Sequence, residues 1–243
     1  MILNSGRCGS TVLLRMLDAH PRACSRGEVF HRYDTIYGGC PRRPDPLRYL
    51  ERELRRVGRR HFVFSVHFLR AQHLRPDLLD MQLEEFLRVV HGMGVNRIVL
   101  LERRNYLRII LSSYAGALRE QWHVPALGES EVKSFVLDPD RVEFARTTLP
   151  LTAWLEEFER GYAEARGLVA AVSGLYLTYE EDVLPDPGIG HRKLCAVMGL
   201  PALDVEVSLR RSNPFPVREM LRNFEKVERH LRGTRFAWML DAE

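Results

Sequence analysis

Lysine is scarce in this chain of 243 residues. Lys133, Lys193 and Lys226 are outnumbered by arginines within a combined 36 basic residues, so almost all the positive charge is guanidinium. A nucleoside-triphosphate P-loop needs a lysine in G-x-x-x-x-G-K-[ST], and no glycine-rich stretch here carries one. Cysteine is sparse too. Cys8, Cys24, Cys40 and Cys195 have neither close pairing nor the spacing of metal ligands, which excludes a disulfide framework and points to a reducing, cytoplasmic setting. No apolar run approaches the roughly 18 residues of a membrane-spanning helix. No charged start leads into an apolar stretch with a cleavage site, so no secretory signal is expected; the chain opens inside what reads as a strand. The arginine-dense stretch 42–60 has few aromatics, unlike the interleaved surface of a nucleic-acid binder. The net charge of +4, carried by arginine, suits an anionic small-molecule partner instead, because a guanidinium meets phosphate or sulfate oxygens through a planar fork.

Repeats and low-complexity linkers are also missing, and a single domain over residues 1–243 is expected. Short apolar runs alternate with amphipathic ones. Met1–Asn4, His61–Phe68, Asn96–Glu102 and Gly174–Tyr179 read as strands. Ser10–Ala19, Pro46–Val57, Glu84–His91 and Asn105–Trp122 read as helices, as does most of Pro139–Ala171 with a break before Pro150. The expected fold is α/β: a P-loop-like three-layer arrangement with a central parallel sheet of four or five strands and a helical C-terminal part. Ligands of such sheets bind outside the carboxyl ends of the strands.

Two segments lie at such ends. Ser5-Gly6-Arg7-Cys8-Gly9-Ser10-Thr11 joins the first strand to the first helix. Its glycines permit close backbone approach, the helix start offers unpaired N–H groups, and Arg7, Ser10 and Thr11 add a cation and hydroxyls. With no lysine before Ser10 and no acidic Mg²⁺ site nearby, the loop suits a group handled without a metal. The second segment is Arg103-Arg104-Asn105-Tyr106, followed by Ser112-Ser113-Tyr114. At about 3.6 residues per turn, positions 104, 108 and 112 share one helix face, where a phosphate could meet Arg104 and the Ser112 hydroxyl.

These residues resemble sulfotransferases that use 3′-phosphoadenosine-5′-phosphosulfate (PAPS). SGRCGST resembles their 5′-phosphosulfate loop, and ERRNYLRIILSSY their 3′-phosphate segment. Arg26–His31 (RGEVFH), Leu177–Asp182 (LTYEED) and Asn223–Phe236 (NFEKVERHLRGTRF) resemble elements of the bacterial carbohydrate branch, which includes nodulation-factor and trehalose types. The five elements keep the family's order over nearly the whole chain.

The resemblance implies an enzyme that moves a sulfuryl group from PAPS to an acceptor hydroxyl on a carbohydrate or glycolipid, leaves 3′-phosphoadenosine-5′-phosphate (PAP), and needs no metal. It implies that Ser5, Gly6, Arg7, Cys8, Gly9, Ser10 and Thr11 hold the 5′-phosphosulfate, and that Arg104 and Ser112 hold the 3′-phosphate. Arg7 stands where cytosolic members carry a lysine, and Cys8 where Ser or Thr is commoner. Glu28 aligns with the carboxylate base of the trehalose type. The second strand lacks the lysine many relatives have and offers His67, matching the histidine base of the cytosolic branch. Both Glu28 and His67 therefore stand as base candidates, with His31 and Tyr33 as acceptor-pocket candidates and Tyr179 as a candidate core residue. A nucleotide-kinase-type phosphotransferase and a non-catalytic nucleotide-binding module on the same fold are the alternatives.

Overall fold

The computed structural model describes every residue except 59, 120, 121, 123, 126–133 and 243. Along the chain, β1 (Ile2–Asn4) leads to α1 (Ser10–Asp18), β2 (Ala23–Glu28), α2 (Val29–Tyr37), α3 (Pro46–Arg56), β3 (His61–His67), α4 (Leu83–Gly92) and β4 (Val99–Glu102). Then come α5 (Tyr106–Arg119), the short strands β5 (Val124–Pro125), β6 (Val142–Phe144) and β7 (Thr147–Leu149), and the long α6 (Leu151–Ala171). β8 (Leu175–Thr178), α7 (Tyr179–Asp182), α8 (Pro187–Met198), β9 (Leu209–Arg210), α9 (Val217–Met220), α10 (Phe224–Leu231) and a 3-10 turn at Ala237–Leu240 complete it.

The residues cluster into two compact units, one of Met1–Glu102 with Ala163–Glu206 and one of Arg103–Tyr162 with Val207–Glu243. The first holds a five-stranded sheet in the order β2-β3-β1-β4-β8, every neighbouring pair parallel. This is the expected α/β architecture, with helices flanking a central parallel sheet. β1 and β4 are buried along their whole length, as strands covered on both faces must be, and they are accordingly continuous apolar runs broken only at their carboxyl ends. Ile2, Leu3, Leu13, Leu17, Phe64 and Leu100 form the heart of this core. Because β1 lies centrally between β3 and β4, the loop after it opens at the middle of the sheet's carboxyl edge.

The second unit packs α5 and the first part of α6 around Leu107, Ile110, Trp154, Phe158 and Tyr162. Here one expectation is corrected: residues 142–149 form a β-hairpin, not helix, with Val142 paired to Leu149 and Phe144 to Thr147. Its turn residues Ala145 and Arg146 take left-handed φ of 50° and 64°. The hairpin is held from outside itself, since the Trp154 indole donates to the Val142 carbonyl at 3.0 Å and Phe144 packs edge-on against Trp154. The end of the helix predicted to reach Trp122 falls partly on residues outside those described.

No helix among the described residues is long and apolar enough to cross a membrane.

Candidate active site

The loop after β1 departs from ordinary backbone at three residues. Gly6 has φ +84°, Arg7 +56° and Gly9 +83°. The loop is tied down by its own polar atoms. The Gly6 amide donates to Asn4 Oδ1 at 2.8 Å, and the Cys8 thiol donates to the Gly6 carbonyl at 3.0 Å. Gln72 Nε2 donates to the Ser5 carbonyl at 2.8 Å. The Cys8 sulfur thus faces inward and is fully buried. Gly9 caps α1 with no side-chain hydrogen bond to the first amides, and the N–H groups of a helix start are an arrangement that suits an anion. Gly9 is required for a second reason: a Cβ there would stand 2.6 Å from Val183 Cγ1 and 3.3 Å from the Tyr179 ring. Tyr179, buried, packs behind the loop, as its core reading anticipated.

Glu28 reaches the same edge through an irregularity. Ser25 pairs with Val63 but Glu28 with Ser65, so β2 carries one residue more than its partner over this interval. The extra residue forms a bulge in which Gly27 has φ +60° and its amide donates to Ser25 Oγ at 3.3 Å. The bulge puts Glu28 on the face it would otherwise miss by one position.

There Glu28 Oε1 lies 3.5 Å from His67 Nε2. His67 ends β3, opposite Asn4, and its ring rests on the loop after β1: a Cβ on Gly6 would be 3.2 Å from His67 Cε1. Both side chains are largely but not fully enclosed. At 3.5 Å the pair is at ion-pair distance, beyond an ordinary hydrogen bond, and Nε2 has no hydrogen-bond partner of normal geometry. Burial pushes the Glu28 carboxyl up, but the adjacent His67 more than reverses this and holds it well below the usual carboxylate range. Glu28 is therefore ionised at neutral pH.

His73, which the sequence reading did not single out, completes the cluster. It is buried, and its Nδ1 accepts the His67 backbone N–H at 3.0 Å. Burial, then the charges of His67 and Arg75, hold its imidazole well below the usual histidine range, so it is neutral. Glu28, His67 and His73 bring one ligand-type atom each within 4.8 Å of one another. The two imidazoles, however, lie 8° from parallel with centroids 4.8 Å apart. A metal bound by imidazole sits in the ring plane, and two stacked planes have no such position in common unless a ring turns.

The remaining candidates divide. His31 is exposed on α2. Tyr33 is fully buried with its hydroxyl donating to the Pro44 carbonyl at 2.5 Å, which makes it core rather than pocket lining. In the second unit, Arg104 precedes the first helical residue by two positions and is exposed, whereas Arg108 and Ser112 are buried inside α5. The helix-face expectation thus applies to 108 and 112 and does not extend to 104. Arg108 donates to the Phe215 carbonyl at 2.5 Å, and Ser112 Oγ accepts from Asn213 Nδ2 at 2.9 Å. Asn213 Oδ1 in turn accepts from Arg119 at 2.7 Å. Asn213 lies 101 residues from Ser112, and nothing local in the sequence marks it.

No protein-family model matches the chain, and no curated protein matches it in sequence. A solved structure described as a sulfotransferase from Alicyclobacillus acidocaldarius is similar in fold, with a TM-score of 0.51 over 98% of this chain and 91% of that one, at 15% identity. At that identity the likeness is one of architecture: the chain has the α/β fold of that sulfotransferase structure.

Proposed function

We propose that this chain is a sulfotransferase that moves the sulfuryl group of PAPS to an acceptor hydroxyl and releases PAP. The observation that carries the reading is the contact between the anion-receiving loop and the Glu28–His67 pair, made where the His67 ring lies on Gly6. A group held at the start of α1 would lie beside a base, as transfer to a hydroxyl requires. The fold likeness to a structure described as a sulfotransferase supports the same reading.

The chemistry follows from the residues. The acceptor oxygen attacks sulfur as the bond from sulfur to the 5′-phosphate oxygen breaks, giving a sulfate ester and PAP. The amides of the loop and Arg7 stabilise the charge growing on the sulfuryl and leaving oxygens, and being fixed beforehand they need no reorganisation. The acceptor proton passes to the Glu28–His67 pair. A carboxylate held below its usual range is a weak base alone, so Glu28 serves by stabilising the proton that His67 receives. The two side chains act together, which joins the two base candidates in one role. The sequence resemblance adds Arg104 and Ser112 as holders of the 3′-phosphate, and a sugar or glycolipid hydroxyl as acceptor.

Incubation with sulfur-labelled PAPS and a panel of sugar, glycolipid and phenolic acceptors tests the reading. Label transfer is expected, and Glu28→Gln should lower turnover by about 10²–10⁴-fold while PAP binding persists. Absence of both label transfer to every acceptor and PAP binding by the wild-type chain would refute it.

A further inference from the structure

The histidine beneath the pair has no part in the chemistry above, yet it is built into it. His67 and His73 clasp each other twice through the main chain: the His67 N–H donates to His73 Nδ1 at 3.0 Å, and the His73 N–H donates to the His67 carbonyl at 3.2 Å. Accepting at Nδ1 places the one proton of the neutral ring on Nε2. Above this clasp the rings stack, 4.8 Å apart and 8° from parallel. On its other side His73 meets Phe30 edge-on at 5.8 Å, and Phe30 meets Phe86 at 6.0 Å. His73 is thus wedged between the aromatic core and the His67 imidazole, which is paired with Glu28.

We propose that His73 is a positioning residue for the proton transfer, holding the His67 ring against Gly6 and towards Glu28 by stacking on it. This rests on the sulfuryl-transfer reading for its functional meaning, although the geometry stands by itself. A phenylalanine could stack here and an asparagine could accept the amide, but imidazole does both. The His67 ring cannot swing away from Glu28 without leaving its stacking partner. Ordering the ring before substrate arrives removes a motion that would otherwise oppose the reaction. Protonation of His73 would cost it the Nδ1 acceptor and set a cation among His67, Arg75 and His31, so the wedge works only as the neutral ring.

Two substitutions separate stacking from hydrogen bonding. His73→Asn keeps an oxygen for the His67 amide but loses the flat ring, whereas His73→Phe keeps the ring and loses the acceptor. The expected result is that His73→Asn lowers kcat by about tenfold to a hundredfold with donor KM changed by less than about twofold. His73→Phe should keep more of the rate and show the lower melting temperature. A purely structural His73 gives the reverse order, the rate following stability.

A second readout does not depend on activity. The groups facing Glu28 are His67, His73 and His31, and His67 is the largest influence lowering its titration. NMR of the ¹³C-labelled Glu28 carboxyl should show its titration moving up towards the ordinary range in His73→Asn, because His67 is no longer held beside it. An unmoved Glu28 titration overturns the proposal whatever the rate, as does a kcat within about twofold of an active wild type. If the wild type transfers nothing, the sulfotransferase reading falls while the titration still decides the role of His73. Should His73→Asn lack a cooperative melt, His73→Met, which fills the space without a flat face, carries the same expectations.

Discussion

Gly6 and His67 are in contact across the sheet's carboxyl edge: a Cβ on Gly6 would stand 3.2 Å from His67 Cε1 and 3.5 Å from Nε2. The loop after β1 and the Glu28–His67 pair therefore cannot be altered independently. Gly6→Ala meets two penalties at once, a left-handed φ of +84° and a displaced imidazole. Stability should fall by about 1–2 kcal/mol, read by urea denaturation, and turnover with PAPS should fall at least about tenfold because one wall of the site has moved.

The depressed titration of Glu28 has a definite effect on stability. A carboxyl whose folded value lies below its unfolded value of about 4.3 stabilises the fold above that pH, and the contribution is lost as pH falls through the folded value. The stability difference between wild type and Glu28→Gln should thus be largest near neutrality and should shrink below about pH 4.3. Denaturation midpoints measured from pH 7 down to pH 3 check this, and a difference that grew as pH fell below about 4.3 would contradict the depressed carboxyl.

Arg104 and Ser112 should differ as donor ligands. Arg104→Ala removes an exposed guanidinium, and PAP affinity should fall about 10–100-fold with little change in melting temperature. Ser112→Ala also leaves Asn213 Nδ2 without its buried acceptor, so PAP binding should weaken about fivefold and the melting temperature should drop with it. Calorimetric titration with PAP beside thermal melts distinguishes the two.

Glu102, buried at the end of β4, accepts from Arg166 at 2.5 Å and from Tyr176 at 2.8 Å. Arg166→Met keeps the apolar stem and removes the countercharge. The loss should be about 2 kcal/mol, since the tyrosine still donates. Urea titration at pH 7 measures it.

Much of this was legible in the sequence because the signals were local. β1, β3, β4 and β8 are apolar runs whose ends shift by three residues at most from the reading, and the loop after β1 announces itself by Gly, Arg and Ser together. The hairpin at residues 142–149 was hidden. Its turn residues are Ala145 and Arg146, where such left-handed turns favour Asn and Gly, and the Trp154 bond that secures it comes from the next helix. At the site, Glu28 and His67 could be named but not joined, because their proximity depends on a bulge in β2 that no composition rule marks. His73 was missed because its role is a stack and a main-chain clasp, and neither leaves a spacing to read.

That bulge gives β2 an unequal tolerance to change. Removing Gly27 would leave Glu28 two positions after Ser25 and still opposite Ser65, so a shorter chain keeps the carboxylate on the working side. Replacing Gly27 with valine, which resists the left-handed backbone and prefers extension, would invite the strand to run straight and turn Glu28 over to the opposite side. The edge of this sheet is a two-position toggle: a deletion is the mild lesion, and the substitution that looks gentler is the one that carries the carboxylate away from His67.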